Sequence, residues 1–490
     1  MSSTLILSCV LAYSALLFFV VWLTSRKADN ESYFIGNRSS RWYVVAYGMI
    51  GASLSGVTFM SVPGWVGTTQ FSYMMVVFGY FAGYLVVATI LLPLYYKLHL
   101  TSIYSYLQSR FGFHSYKTGS MFFILSRTIG SALRLYIVIN VLQTFVFDQW
   151  GISFLFTTAA FIALILLYTY KGGVKTIIWT DTLQTTFMLA ALGLSIVLIA
   201  KQLGFSFSEV FERVFNGDYS TMIVSDVNAK NYFLKNFFGG MFITIAMTGL
   251  DQEMMQKNIS VKTLGGSKKN MIWFSIVLVI INFLFLSLGV MLYLFAKTKN
   301  MEIPKLSDDL FPTVALGHLG TVSAVFFIIG LISAAYPSAD GALTALTSSF
   351  CLDILGIRRN KKLGEEQQKK IRYTVHFGFA VLLFLVIVVF RIINDRAVID
   401  KVLTIASYTY GPLLGLFTFG IFSKRMPADK LVPIVCILSP VVCYFLNEYS
   451  ATMFSGYKFG YELLIVNGFI TILGLIAISK KAVLVRNPRT

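Results

Sequence analysis

Residues 51–58 read Gly-Ala-Ser-Leu-Ser-Gly-Val-Thr and interrupt an apolar stretch that runs from 42 to 66. A second apolar stretch, 236–256, is interrupted by Phe238-Gly239-Gly240 and by Thr248-Gly249. Small residues also allow close helix packing, so either interruption alone is ambiguous. The two stretches are, however, the second and the seventh apolar segments of the chain. Broken helices five segments apart predict a transporter with two oppositely inserted five-helix repeats and a binding site near the middle of the membrane.

The composition places most of the chain in a membrane. Of the 490 residues, 56% are hydrophobic and only 13% are charged, whereas about 25% are charged in soluble domains. An apolar helix of roughly 20 residues crosses the hydrocarbon core. We therefore predict an all-α polytopic membrane protein with about 13 transmembrane helices. The segments lie near 4–24, 42–66, 71–96, 118–146, 152–170, 176–200, 236–256, 272–296, 319–350, 374–392, 400–423, 431–447 and 461–479.

The net charge of +18 is unevenly distributed along the chain. If the N-terminus is outside, most of the 40 Lys and Arg residues fall in inner segments, while Arg127 and Arg134 lie within a helix. Cytoplasmic segments carry an excess of basic residues, so we predict N-out, C-in topology. The charge thus indicates orientation and not a nucleic-acid partner. No zinc motif, nucleophile–base pair or phosphate-binding loop suggests an enzyme.

Asp181 is a carboxylate within an apolar segment, where an ionised acid costs several kcal/mol unless it faces water, a partner or an ion. Asp340 is a second acid on a predicted membrane helix. Two neighbouring acids stay ionised together only when a cation lies between them; otherwise one takes a proton. Three alternatives follow. The acids share a sodium ion, one of them carries a coupling proton, or a basic residue such as Arg127 or Arg134 neutralises them.

Four motifs, in order, resemble those of the sodium:solute symporter family and cover nearly the whole chain. They are Tyr168 to Gln184 with its Gly-Gly and Thr-Asp pairs, Gly249 to Lys257 with Lys257 replacing the usual arginine, Asp309-Leu310-Phe311-Pro312, and Tyr410 to Arg425. The resemblance implies a LeuT-type fold with a 5+5 inverted repeat and sodium-coupled import. The implied parts are an extra N-terminal helix and inner loop (1–40), the first repeat (41–200), an outer loop (201–235), the second repeat (236–425), and two C-terminal helices with a cytoplasmic tail (426–490).

The resemblance also implies a sodium site where the first core helix is unwound beside the eighth. Its ligands would be the backbone carbonyls of Gly51, Leu54 and Ala334 and the hydroxyl of Ser338. Oxygen ligands of this kind suit a hard cation. Pro337 stands where the family usually has Ser or Thr, and this removes a ligand and an N–H group. Carbonyls freed by the proline could partly compensate.

Some family members carry a second sodium site, built from the residue matching Asp181 and from two hydroxyls. In this chain those hydroxyl positions fall on Asp340 and Gly341. The resemblance therefore implies Asp181 and Asp340 as further sodium ligands, with Ser338 as the nearest remaining hydroxyl. Sodium would act as the coupling ion and not as a tightly held cofactor.

Arg134 aligns with an arginine found in carboxylate-carrying members, and a guanidinium binds a carboxylate through two parallel hydrogen bonds. Ser53, Ser55 and Thr58 fall where the sialic-acid symporters of the family place hydroxyls. The substrate implied is an organic carboxylate such as sialic acid. Alternatively, Arg134 neutralises Asp181 or Asp340, and the hydroxyls bond to their own helix.

Thr244 and Met247 occupy positions where sugar-carrying relatives have an Asn and a gating Tyr, so both are candidate substrate residues. Other functions remain open: a sodium- or proton-coupled symporter of a sugar or another solute, or a non-transporting membrane sensor on the same scaffold. The expected partners are sodium, a small organic solute and membrane lipid, without an evident obligate protein partner. The expected location is the cell membrane, as a multi-pass protein of the bacterial inner membrane.

Overall fold

The computed structural model describes residues 3–25, 38–172, 174–360, 362–393 and 398–480. Gly173 of the Gly-Gly pair and the basic residues of 26–37 and 481–490 lie outside the described residues. The helices are α1 (Ser3–Ser25), α2 (Trp42–Ser53), α3 (Gly56–Thr69), α4 (Tyr73–Lys97), α5 (Ser105–Arg110), α6 (Phe113–Trp150), α7 (Phe154–Gly172), α8 (Val174–Leu203), α9 (Phe207–Asn216), α10 (Phe233–Gly249), α11 (Gln252–Ile259), α12 (Leu264–Thr298), α13 (Leu310–Gly317), α14 (Gly320–Ile354), α15 (Glu365–Ile393), α16 (Val398–Thr409), α17 (Gly411–Phe422), α18 (Val432–Glu448), α19 (Ser450–Met453) and α20 (Leu463–Ala477).

Every predicted apolar segment coincides with a helix. Among the described residues, eight helices are long and apolar enough to cross a membrane, and the number rises to eleven if each bent pair forms one span. The shorter apolar helices α7 and α20 occupy the two remaining predicted segments. The prediction of an all-α, multi-pass membrane protein is confirmed. The N-out topology and the division into the five parts stay predictions.

Three helix pairs are bent at short breaks. The angle is 57° between α2 and α3, 65° between α10 and α11, and 44° between α16 and α17. At the first break Leu54 has ψ 88° and Ser55 is extended, within the predicted interruption. The second break lies at Leu250 and Asp251, next to Thr248-Gly249. The prediction of an interruption at Gly239-Gly240 was wrong, because both residues lie inside α10.

Glycines bring α4 and α10 into backbone contact. A side chain at Gly240 would meet the backbone of Val76, and one at Gly79 would meet the carbonyl of Phe237. Small residues permit this approach, which also gains the dispersion energy that drives helix association in lipid. The Gly239-Gly240 pair therefore serves packing and not helix interruption.

The break between α2 and α3 is enclosed by helices from both ends of the chain. The second half of the chain contributes α14, which contacts α2, α3, α6 and α8, while α8 also packs against α2. On the other side of the break, α16 contacts α3 and α6. Two short strands, β1 (Met426–Pro427) and β2 (Ser479–Lys480), pair antiparallel before α18 and after α20.

Candidate substrate and sodium site

A cavity of about 100 Å³ lies beside the break between α2 and α3. Its apolar lining comes from the break itself and from α10, α11, α12 and α16. The structure brings together all six predicted substrate residues on its lining: Ser53, Ser55, Thr58, Arg134, Thr244 and Met247. The lining thus combines two guanidinium groups, of which that of Arg134 is half-buried, with several hydroxyls and an apolar surface, as expected for a site that binds a polar anion.

Arg134 lines this cavity without an ion-pair partner among the described residues. Arg127 lines the same cavity, but it is paired with Glu253 and lies 3.7 Å (Nη1 to Oδ2) from Asp251. Ion pairs between described residues do not include Arg134. The structure therefore does not support the alternative in which Arg134 neutralises Asp181 or Asp340.

Three tyrosines of α4 also line the cavity and were not identified from the sequence. Tyr73, Tyr80 and Tyr84 are spaced by seven and four residues, which puts them on one helix face. The hydroxyls of Tyr73 and Tyr80 are 3.0 Å apart, and the hydroxyl of Tyr84 is 3.5 Å from that of Ser53. Their spacing is the sequence signal that could have indicated a shared polar face.

A second cavity, of about 490 Å³, lies next to the first and shares Tyr73 with it. Trp65 and Ser307 are among its lining residues. The neighbouring Asp308 accepts a hydrogen bond of 3.1 Å from the backbone N–H of Val398, the first residue of α16. Burial raises the pKa of Asp308 to about 6, so this carboxyl is mostly ionised at neutral pH. The segment before α13 is thereby tied to the start of α16.

The helix break supplies free carbonyl oxygens where the sodium site was predicted. The last carbonyls of a helix have no partner within the helix. Leu54 donates its N–H to Ile50, and the next bond runs from Phe59 to Ser55. Within the described chain, the intervening carbonyls, from Gly51 to Leu54, accept no backbone hydrogen bond across the break. Those of Gly51 and Leu54 are therefore available to a cation.

Helix α14 carries the other two residues predicted to bind sodium. Ala334 and Ser338 are fully buried, and the Ser338 hydroxyl has no hydrogen-bond partner among the described residues. Pro337 lies inside this helix and cannot donate to the carbonyl of Ser333, four residues earlier. Buried polar groups without a partner are rare in folded proteins. The unpartnered hydroxyl and the freed carbonyl thus fit an oxygen-ligated cation.

Asp181 is paired with Lys257. The ammonium Nζ of Lys257 lies 2.7 Å from Asp181 Oδ2 and 3.2 Å from Glu253 Oε1, and all three side chains are buried. The other oxygen of Asp181, Oδ1, has no hydrogen-bond partner among the described residues. Of the three alternatives for Asp181, the structure therefore shows neutralisation by a basic residue, although the residue is Lys257 and not an arginine. Sodium binding by Asp181 stays a prediction.

Glu253 joins this pair to Arg127. Its carboxylate contacts both cations, and Gly341 on α14 leaves the space that it occupies, since a side chain at position 341 would collide with it. Asp251 caps the N-terminus of α11 through the N–H of Glu253 (2.9 Å) and accepts the hydroxyl of Tyr410 (2.9 Å). The network fixes the break after α10 against α6 and α14.

Asp340 lies near Asp181 but has a separate set of contacts. Tyr168 donates its hydroxyl to Asp340 Oδ2 (2.9 Å), and the N–H of Gly341 donates to Oδ1 (2.5 Å). In the described ranges no Lys, Arg or His forms an ion pair with it. Asp340 and Asp181 are close enough for their charges to interact. Asp340 therefore remains a candidate cation ligand next to Ser338.

Comparisons with known proteins identify related transporters. The chain is 23% identical over 445 residues to the sodium/sialic acid symporter SiaT of Proteus mirabilis, covering 90% of this chain and 88% of that protein. It is 24% identical over 433 residues to the sodium/sialic acid symporter NanT of Aliivibrio fischeri, with 86% and 84% covered. It is 25% identical over 402 residues to the mouse sodium-coupled monocarboxylate transporter 1, with 80% and 64% covered.

Solved structures share the fold. A sodium-coupled sialic acid symporter in a substrate-bound, outward-open state superposes with a TM-score of 0.84 at 21% identity, over 97% of this chain and 99% of that one. The nucleobase-cation symporter Mhp1 gives 0.57 at 13% identity, over 91% and 93%. The LeuT-type fold is confirmed. Residues 33–429 match the model of the sodium:solute symporter family, and the chain therefore belongs to that family.

Proposed function

We propose that this chain is a sodium-coupled symporter that imports a small organic carboxylate, with sialic acid as its substrate. The observation that carries the proposal concerns the guanidinium of Arg134. It lines the cavity beside the break between α2 and α3, and it has no ion-pair partner among the described residues. A cation held in this way needs an anion to balance it, because an unpaired charge away from water is costly. A carboxylate fits its forked geometry.

The other lining residues suit the polyhydroxylated body of a sialic acid. Ser53, Ser55, Thr58 and Thr244 offer hydroxyls that can both donate and accept hydrogen bonds. Met247 adds a flexible apolar surface beside them. Relatives named as sodium/sialic acid symporters support the same substrate. Since these relatives are bacterial, we place the protein in the bacterial inner membrane.

Sodium and substrate are coupled in this proposal through one stretch of backbone. Gly51 and Leu54 offer carbonyls to sodium, while Ser53 and Ser55 of the same break offer side chains to the substrate. Ala334 and Ser338 complete the sodium ligands from α14, and Asp181 and Asp340 lie beside them. A cation that holds α14 against the break fixes the backbone that presents the hydroxyls. Each ligand then raises the affinity for the other, as linkage requires.

The function is tested by uptake into proteoliposomes. We expect labelled sialic acid to accumulate under an inward sodium gradient and not when choline replaces sodium. Unlabelled sialic acid should compete fully, monocarboxylates such as pyruvate weakly, and glucose and proline not at all. Protein-free liposomes are the control. Equal uptake in choline would rule out sodium coupling, and sodium-driven uptake of labelled glucose without any uptake of labelled sialic acid or pyruvate would rule out a carboxylate substrate.

Replacing Ser338 with alanine should raise the sodium concentration for half-maximal uptake about tenfold. The variant loses one of the proposed oxygen ligands, and a hydrogen-bond-like contact to a charge is worth about 1.5–3 kcal/mol, where about 1.4 kcal/mol is a factor of ten. The measurement is initial uptake rate against sodium concentration. Ser323→Ala is the matched control, since Ser323 is also buried on α14 but lies about 22 Å nearer the N-terminal end of the helix. An equal effect of both variants would contradict a sodium ligand at Ser338.

A further inference from the structure

The positively charged ammonium of Lys257 lies directly beside the carboxylate of Asp181. Its ammonium bridges Asp181 Oδ2 at 2.7 Å and Glu253 Oε1 at 3.2 Å, and the residue is 2% exposed. Glu253 holds the opposite side of the ammonium because Gly341 leaves room for its carboxylate. The ammonium of Lys257 thus contacts carboxylate oxygens, and oxygens of this kind are also the ligands that a hard metal cation requires.

The surroundings of Asp181 keep further oxygens without partners. Among the described residues, these include Asp181 Oδ1 and the hydroxyl of Ser338 on the adjoining α14. The side-chain amide of Gln184, one turn later on α8, also lacks partners for both its oxygen and its nitrogen. Buried oxygens without donors are costly and mark places where a cation or water binds. With Lys257 removed, Asp181 would offer two free oxygens to a cation beside them.

Two cations at one carboxylate repel each other strongly in a buried site. Because Lys257 is attached to the chain, its ammonium is always present beside Asp181. A sodium ion must instead bind from solution and compete with it. Lysine carries a compact point charge on a flexible stem, in contrast to the planar fork of arginine. It can therefore take the position of a small ion. The remaining charged groups that face it are Glu253 on its own helix, Asp340 on α14, and Arg127 on the far side of Glu253.

We propose that Lys257 is a built-in counterion that excludes sodium from Asp181, so that the protein binds and couples a single sodium ion, at the break between α2 and α3. The inference rests on the proposed function, because it assumes that this break binds sodium. It assigns Asp181 a different role from that of Ser338. Ser338 binds the transported ion, and Asp181 positions Lys257.

The test is the number of sodium ions bound per molecule of the purified full-length protein, measured with sodium-22 at saturation. We expect one for the wild type, two for Lys257→Met, and one again for Lys257→Met combined with Asp181→Asn. Methionine keeps the length of the lysine side chain without its charge. Lys262→Met is the matched control, since Lys262 is an exposed lysine five residues later, and it should bind one. The Hill coefficient of uptake against sodium should rise above one only in the single variant Lys257→Met.

Asp181→Asn alone provides a second test that does not leave an unpaired buried acid. We expect it to bind one sodium ion with unchanged affinity, because Asp181 is not a ligand while Lys257 is present. Two ions bound by the wild type, one or none bound by Lys257→Met, or a sodium site lost in Asp181→Asn would each overturn the inference. A wild-type protein that binds no sodium would instead overturn the proposed function, which distinguishes the two failures.

Discussion

Replacing Arg134 with glutamine is expected to lower sialic acid uptake at least a hundredfold. The substrate carboxylate would lose the guanidinium that, among the described residues, lines the cavity without an ion-pair partner. Truncating one partner of a buried charge pair costs about 2–5 kcal/mol, and about 2.8 kcal/mol is a factor of a hundred. The measurement is the initial rate of sodium-driven uptake in proteoliposomes, together with sialic acid binding to the purified protein. The effect should fall mainly on substrate affinity, while sodium binding stays measurable.

The methyl ester of sialic acid separates a direct contact from a general structural effect. The wild type should discriminate strongly against the neutral ester, and Arg134→Gln should bind the acid and the ester equally weakly. Arg134→Lys should recover part of the discrimination, because a lysine keeps the charge but not the two parallel hydrogen bonds. Arg213→Gln, on the exposed face of α9, is the control. Discrimination that persists in Arg134→Gln would place the carboxylate elsewhere.

Replacing Glu253 with alanine should destabilise the protein by about 3–5 kcal/mol, since removing the shared partner leaves two cations buried without it. Arg127 and Lys257 both bind this carboxylate. In a thermal unfolding experiment in detergent, we expect the midpoint to fall by on the order of 5 °C or more. The yield of folded protein in the membrane should fall with it.

Two further variants show whether the loss of stability in Glu253→Ala comes from the lost charge. Glu212→Ala removes an exposed glutamate on α9 and should leave the unfolding midpoint unchanged. Glu253→Gln keeps the volume of the side chain, so that its loss of stability reports charge and not a cavity. If Glu253→Gln unfolds at the wild-type temperature, the network is held by packing, and the pairing of Arg127 with Glu253 contributes little.

Much of the fold could be predicted because the membrane imposes a length on each helix. The apolar segments coincide with helices for this reason, and the break at residues 51–58 could be recognised from its small residues. For the second break the sequence offered two candidate positions and could not distinguish them. Gly239-Gly240 and Thr248-Gly249 look alike in sequence, but the first pair lies at a contact with α4 and only the second adjoins a break. Glycine serves both purposes, and only the partner helix distinguishes them.

The substrate residues were reached through family resemblance, and the structure gathers them around one cavity. The pairing of Asp181 could not be predicted in the same way. Arg127 and Arg134 stood out because they lie within a helix, whereas Lys257 lies at the end of its motif and resembles an ordinary cytoplasmic lysine. The bend between α10 and α11 brings it to Asp181. Glu253 and Lys257, four residues apart, were the available signal, since this spacing places opposite charges side by side.

The glycine contact between α4 and α10 has a consequence for how the molecule changes shape. Gly79 and Gly240 let the two backbones touch, and the carbonyls of Phe237 and Val76 fill the space where side chains would lie. At these two glycines the nearest atoms of the other helix are backbone atoms, so the tight contact resists sliding of one helix past the other. One helix belongs to each predicted repeat. We therefore expect α4 and α10 to move together, as one body assembled from both halves of the chain, when the cavity opens to either side of the membrane.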